Sequence, residues 1–474
     1  MFQIQEPGKK FENKTAYMAI KRALKSKYII SLIIFLSIVF FNLGLFISGT
    51  NLNPIKSDGV GYYVYLPSIF INQEIDFKKS MQSIVSNEYY YKNLPNDGEW
   101  MGIDKLDGGK IINKYPIGVS IMESPFFLTT DAFLKIFHEE RDGFNKYYQL
   151  SVILSSSFYA TLGLIFIFLL LSEMGISKKI SIITEAVLVF GTSLLHYFTY
   201  DLSFSHIYSF FAIAGALYFL LKILKTNLNK YYLLFGIFSS LIIVTRTMNI
   251  LFVIILLIVI FTVKKLYLLN YLRKNLKPLL LMFLGLAIFV LPQMIIWYMQ
   301  SGKFLITSYP GEFFDFSQSH FFEVLFSIRK GLFVWSPLLL LSIPGWIYAA
   351  RINFTNRILA IFLFLFIVII GLIFGYWWTW SFGGSFGHRA FVDFYPIFGV
   401  GIAFTFNKIF KLSKKAKIII ALLILTLIII NLILMYGYWK AIVPGDMRNG
   451  QDVTIFAKYI IDTLKSIYHQ IIYK

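Results

Sequence analysis

Apolar residues in this chain come in runs that are too long and too uniform for a water-soluble fold. The first extends from about Tyr28 to Ser48, and others lie near 147–171, 180–200, 206–224, 231–245, 248–263, 278–300, 331–350, 357–379, 389–407 and 418–439. Runs of this length without a polar stripe predict helices surrounded by lipid or by other helices. One further run, 115–137, is interrupted by Pro116, Glu123, Pro125 and Asp131.

The links between runs set the orientation. Residues 1–27 carry Lys9, Lys10, Lys14, Lys21, Arg22, Lys25 and Lys27, which predicts a cytoplasmic N-terminus. The most basic links are 264–277 and 408–417, followed by Lys178–Lys179, Lys222–Lys230 and Arg351–Arg357. All of them face the cytoplasm together only if one segment before residue 147 does not cross. The interrupted run 115–137 is therefore expected to lie at the outer interface, inside a large external loop, 49–146. The result is an all-α polytopic membrane protein of about 11 transmembrane helices, N-terminus inside and C-terminus outside, in the cytoplasmic (inner) membrane. No cleavable signal peptide is expected, because the first run is too long and no small-residue site follows it.

Three local patterns refine this picture. Ser57-Asp58-Gly59-Val60-Gly61-Tyr62-Tyr63-Val64-Tyr65-Leu66-Pro67-Ser68 follows the first run, and a short helix is expected over 60–70. Its glycines permit a tight turn and close approach by a ligand. Asp58 then either caps that helix or does chemistry. The halves 231–245 and 248–263 are each about 15 residues, roughly 23 Å of helix against a core of about 30 Å. Their break, Thr245-Arg246-Thr247-Met248-Asn249, draws Arg246 to the outer boundary, where it either meets an anion or snorkels to headgroups. In 455–472, Phe456, Ile460, Leu464, Ile467 and Ile471 recur at helical spacing, which predicts an amphipathic surface helix. The chain thus divides into a cytoplasmic segment 1–27, a membrane module 28–300 containing loop 49–146, a second module 301–439, and an external tail 440–474.

Composition narrows the function classes. The chain has 474 residues, is 57% hydrophobic and 15% charged, and carries a formal charge of +19. The positive excess sits in the inter-span links, so it reports orientation and not nucleic-acid binding. There is no cysteine, which excludes disulfides and thiolate metal sites, and the six histidines lack zinc-site spacing.

The expected outer links hold the chemistry. They carry Asp58 with Tyr62, Lys114 and Tyr115, Tyr200-Asp201 with His206, Arg246, a 301–330 link with Glu312, and a glycine-rich stretch ending in His388-Arg389. A carboxylate can accept a proton from an attacking hydroxyl, and lysine and arginine can hold a phosphate. Aromatic faces suit a sugar ring and an isoprenoid. The combination suits transfer of a group from a lipid-carried phosphate. Asp201 could instead cap the helix 203–224, His206 and His388 could be interfacial histidines, and 383–387 could be only a flexible turn.

Asp58-Gly59-Val60-Gly61-Tyr62-Tyr63, Lys114-Tyr115-Pro116-Ile117-Gly118, Tyr200-Asp201, Thr245-Arg246 and Ser385-Phe386-Gly387-His388-Arg389 are similar to stretches of GT-C glycosyltransferases. This class includes protein O-mannosyltransferases, aminoarabinose transferases and the oligosaccharyltransferase catalytic subunit. The resemblance covers most of 28–400. It implies a GT-C fold and inverting transfer of a sugar from a polyprenyl-phosphate donor to a glycan, lipid or protein acceptor outside the cytoplasm. It also implies Asp58 as base or metal ligand, Lys114 and Arg246 against the lipid phosphate, and Asp201 as a second acid. The chain lacks a paired acid beside Asp58, an HPP motif and a WWDYG-like motif, so a divalent cation is not implied. An O-antigen ligase or polymerase, a lipid or glycan transporter and a non-catalytic scaffold are the competing readings. A transporter would call for ionisable residues in mid-membrane, and Glu185 is the residue that stands out there.

Overall fold

A computed structural model describes residues 32–86, 102–105, 111–264, 276–306, 311–447 and 454–472. The expected cytoplasmic segment 1–27 and most of the basic link 264–277 lie outside these residues. The first apolar run forms α1 (Leu32–Ile47). The expected external loop folds as α2 (Asp58–Tyr63), α3 (Tyr65–Phe70), α4 (Lys78–Ser86), an antiparallel hairpin of β1 (Ile103–Lys105) and β2 (Ile111–Asn113), and α5 (Gly118–Ile136). Next come α6 (Lys146–Glu173), α7 (Lys178–Phe190), α8 (Leu194–Thr199), α9 (Ser205–Thr226), α10 (Asn229–Thr245) and α11 (Ile250–Val263). The second half contains α12 (Leu276–Ser301), α13 (Phe321–Phe326), α14 (Leu332–Trp335), α15 (Ser342–Ala349), α16 (Phe354–Gly375), α17 (Tyr395–Ile409), α18 (Lys414–Trp439) and α19 (Thr454–Ile472).

Among the described residues, six segments are long and apolar enough to cross a membrane: α6, α9, α12, α16, the stretch Arg389–Ile409 and α18. Leu32–Ile47, Asn229–Thr245, Thr247–Val263 and Pro337–Ala349 are shorter apolar helices. Among the described residues the chain is a helical polytopic protein with one small hairpin. Its innermost members are α9 and the 389–409 stretch, whereas α12 and α18 stand at the periphery. Leu280, Phe283, Leu284 and Leu291 on α12, and Ile418, Ile419, Leu422 and Leu423 on α18, are exposed. Apolar surface of this extent belongs against lipid tails. One buried apolar cluster runs from Ile55 to Phe406 and joins the helices on both sides of residue 300.

Four local expectations are corrected. The helix expected over 60–70 is two helices, because Pro67 has no N–H to donate to the carbonyl of Tyr63 four residues back. Asp58 is the first residue of α2 and not its cap; Ser57 takes that place at φ 49° without a side-chain capping bond. The run 180–200 breaks at Gly191, where a Cβ would lie 2.4 Å from Leu338 and the Thr192 hydroxyl bonds back to the Leu188 carbonyl. The run 331–350 becomes α14, a tight 3₁₀ turn from Pro337 to Leu341, and α15. The tail forms a helix where an amphipathic one is expected: α19 turns Phe456 and Ile460 toward the protein, and Leu464 and Ile471 are exposed.

Candidate functional site

The site begins where β2 ends. Asn113 donates its side-chain amide to the Gly61 carbonyl (2.7 Å) and accepts from the Tyr115 N–H (2.9 Å), which ties the hairpin to α2. The Lys114 N–H donates to the Gly102 carbonyl (2.8 Å), and the Tyr62 and Tyr115 rings meet at 4.5 Å. Close backbone contacts lock this corner. A Cβ on Gly59 would lie 1.8 Å from Ser203 Oγ, and one on Gly118 would lie 2.4 Å from the Val244 backbone. Gly59 therefore serves close approach of α2 to the 200–204 link, and the residue with positive φ at this turn is Ser57.

The break between α10 and α11 supplies the opposite wall. Arg246 is extended (φ −151°, ψ 111°) between the end of α10 and a 3₁₀ turn over Thr247–Asn249. The Thr245 hydroxyl bonds back to the Leu241 carbonyl at 2.7 Å, closing the last turn. From the second half, the 3₁₀ segment Arg389–Phe394 contributes Arg389.

These elements enclose a cavity of about 580 Å³ whose polar lining includes Asp58, Tyr62, Lys114, Tyr115, His206, Arg246, Glu312 and Arg389. Phe204, Phe314, Trp377 and Phe382 supply aromatic faces and Met248, Ile250, Leu251 and Ile306 aliphatic ones. The cations rest on carboxylates. Arg389 meets Asp58 Oδ2 at 2.8 Å, Lys114 meets Glu312 at 3.2 Å, and Arg246 meets Asp393 at 3.3 Å. Burial works against charge on Asp58, but Arg389, Lys114, the Tyr115 hydroxyl and His206 together outweigh it. They hold its carboxyl below the usual range.

All sequence-predicted site residues except Asp201 and His388 line this cavity. Asp201 is no helix cap: Phe204 occupies the N-cap of α9, and the Asp201 carboxylate instead meets His196 Nε2 (2.8 Å) and Lys56 Nζ (3.4 Å). Burial opposes its charge, and His196 and Lys56 overcome that and hold it well below the usual range. Lys56 lies over the Tyr200 ring at 3.3 Å, and the Trp439 indole donates to His196 Nδ1 at 2.9 Å, so this cluster fastens α18 to the 200–204 link. His388 is buried among Phe374, Phe382 and Phe391, and burial pushes its ring down to about 3.

The residue that sequence reasoning missed is Asp393. Fully buried, it accepts from His206 Nδ1 (2.7 Å), Asn249 Nδ2 (2.8 Å) and Arg246 (3.3 Å). The available signal was an acid in the apolar run 389–407, beside Arg389. Among the described residues, no three His, Asp or Glu side chains converge as a metal site.

No family model and no curated protein matches the chain. Among solved structures, it overlaps the Archaeoglobus fulgidus oligosaccharyltransferase tethered to an acceptor peptide containing the NVT sequon. That overlap has a TM-score of 0.45 and 12% identity, over 91% of this chain and 59% of the other. It also overlaps the archaeal oligosaccharyltransferase AglB from Archaeoglobus fulgidus in complex with an inhibitory peptide and a dolichol-phosphate. There the TM-score is 0.45 and the identity 14%, over 92% and 60% of the two chains. The chain spans about three fifths of the length of these structures.

Proposed function

We propose that this chain is a GT-C-type glycosyltransferase of the cytoplasmic membrane. It would move a hexosyl or pentosyl group from a polyprenyl-phosphate donor to a glycan, lipid or protein acceptor on the extracytoplasmic side. The observation that carries this reading is a cavity in which Asp58 faces Lys114, Arg246 and Arg389 beside aromatic and aliphatic walls. The polar corner suits a sugar phosphate and the aliphatic wall a prenyl chain.

The residues act as follows. The acceptor hydroxyl attacks the anomeric carbon from the face opposite the phosphate, and its proton passes to the Asp58 carboxylate. The bond between that carbon and the phosphate oxygen breaks, and its electron pair stays on the phosphate. The departing lipid phosphate gains one negative charge. Arg246, Lys114 and Arg389 are placed to stabilise that charge as it develops. Their carboxylate partners offset the three positive charges and orient each cation beforehand. Glu312 and the Tyr62 and Tyr115 rings then hold the sugar.

The test is sugar transfer from radiolabelled polyprenyl-phosphate sugars by the purified protein. Transfer by the wild type and its loss in Asp58→Asn are expected, and full activity in that variant removes Asp58 from catalysis. The buried Asp393 cluster favours a second reading, an ion-coupled transporter. Uptake of a lipid-linked glycan into proteoliposomes without bond cleavage would select it.

A further inference from the structure

The Asp393 cluster has a polarity that the scheme above leaves unused. Guanidinium, carboxamide and imidazole converge on one buried carboxylate, which suits its charged form. An ionised carboxylate only accepts, so His206 Nδ1 carries the proton at the 2.7 Å contact. In the neutral ring that leaves Nε2 as an acceptor; in the imidazolium Nε2 carries the second proton, and it is the ring atom left for the occupant of the cavity that His206 lines. Arg246 meets the other oxygen of the same carboxylate at 3.3 Å, and it lines the same cavity as His206. Tyr197 packs edge-on against the imidazole at 4.7 Å.

We propose that His206 is a catalytic acid of this site, donating a proton from Nε2 to the departing phosphate, with Asp393 as its positioning residue. The inference rests on the glycosyl-transfer reading. The donor is a phosphodiester with one negative charge, and its departure makes a monoester with two. Transfer of the Nε2 proton to a non-bridging oxygen leaves the product with one. The imidazolium becomes neutral imidazole, and no oxidant or co-reactant is needed. Asp58 receives a proton at one end of the reaction while His206 gives one at the other, so the protein's net protonation is unchanged by the chemical step. Proton exchange with water resets both groups.

The groups facing this ring are Asp393 from the 389–394 segment, Arg246 from the α10–α11 break, Arg389, Asp58 across the cavity and Tyr197 from α8. An acid must hold its proton, so the rate should fall as pH rises. His206→Gln removes that alkaline limb and lowers kcat about 10²-fold or more, with little change in donor KM. Asp393→Asn should lower kcat and displace the limb, a response that a purely structural role would not produce. A limb unmoved in both variants overturns the inference.

A second measurement does not need turnover. Calorimetry with a short-chain prenyl monophosphate, in buffers of different ionisation enthalpy, counts the protons taken up on binding. At pH about 7.5 a free monoester is mostly a dianion and an ordinary imidazole mostly neutral. The wild type should take up about one proton and His206→Gln none while still binding. Equal uptake in both overturns the acid role and leaves the glycosyltransferase reading standing. A wild type that neither binds the phosphate nor transfers sugar overturns both.

Discussion

Replacing Asp58 by Asn separates proton transfer from phosphate binding, because the structure gives this carboxylate two tasks. It faces the cavity as a proton acceptor and holds Arg389 through Oδ2 at 2.8 Å. The amide keeps the shape but accepts no proton. Loss of a general base lowers kcat about 10²–10⁴-fold, or roughly 3–5 kcal/mol at about 1.36 kcal/mol per tenfold. The structural cost is smaller, since side-chain exposures of 28% for Asp58 and 20% for Arg389 keep the pair in contact with the cavity. We assign it about 1–3 kcal/mol, between the values for exposed and buried pairs. The freed Arg389 should then hold the donor phosphate at least as well as before. The expected signature is a collapse of kcat with donor KM unchanged or lower, measured by initial rates against donor concentration in detergent. A raised KM with kcat intact would refute the reasoning, since Asp58 would then be a binding group only.

Further predictions test other parts of the structure. Arg246→Ala should weaken donor binding more than acceptor binding, and equal effects in titrations of both count against a phosphate role. Gly59→Ala forces a methyl to within 1.8 Å of Ser203 Oγ and should lower thermal stability by about 1–3 kcal/mol; an unchanged melting curve contradicts the packing at this corner. Lys330 is buried with its ammonium group donating to the Ser385 carbonyl, and burial pushes it down to about 7. Between about pH 7 and 10 the unfolded chain binds this proton and the folded one does not, so stability should rise with pH there. Lys330→Met should flatten that rise in a pH series of melting temperatures, and an unaltered slope contradicts it. Because the chain has no cysteine, Ser57→Cys and Thr247→Cys can be labelled singly in whole cells with an impermeant maleimide. Both should react from outside, and reaction of only one breaks the shared vestibule.

Much of this site was legible in the sequence because its residues are costly where they stand. Arg246 was conspicuous between two helices too short to span, and the structure places it on the cavity wall. Asp58, Lys114 and Arg389 were recognisable as charges among glycines and aromatics, but the pairing of Asp58 with Arg389 across 331 residues of chain was not. Asp201 was ambiguous because a Tyr-Asp pair ahead of a helix looks alike whether it caps, reacts or bonds sideways. Only the fold shows its carboxylate engaged by His196 and Lys56. Asp393 escaped notice because Phe391-Val392-Asp393-Phe394 reads as an apolar run with one tolerated acid. Its three donors come from α9, the α10–α11 break and the adjoining 3₁₀ turn, segments separated by more than 140 residues from it. The breaks at Gly191 and Pro337 were marked by residue type, whereas the inward face of α19 depended on which helix it met.

The most direct measurement is a cryo-electron microscopy map of the protein with a short-chain prenyl phosphate bound. The account predicts phosphate density between Arg246 and Arg389, within reach of His206, and the prenyl chain along Met248, Ile250 and Leu251. Phosphate density outside this cavity, or inside it but touching neither arginine, would contradict the account.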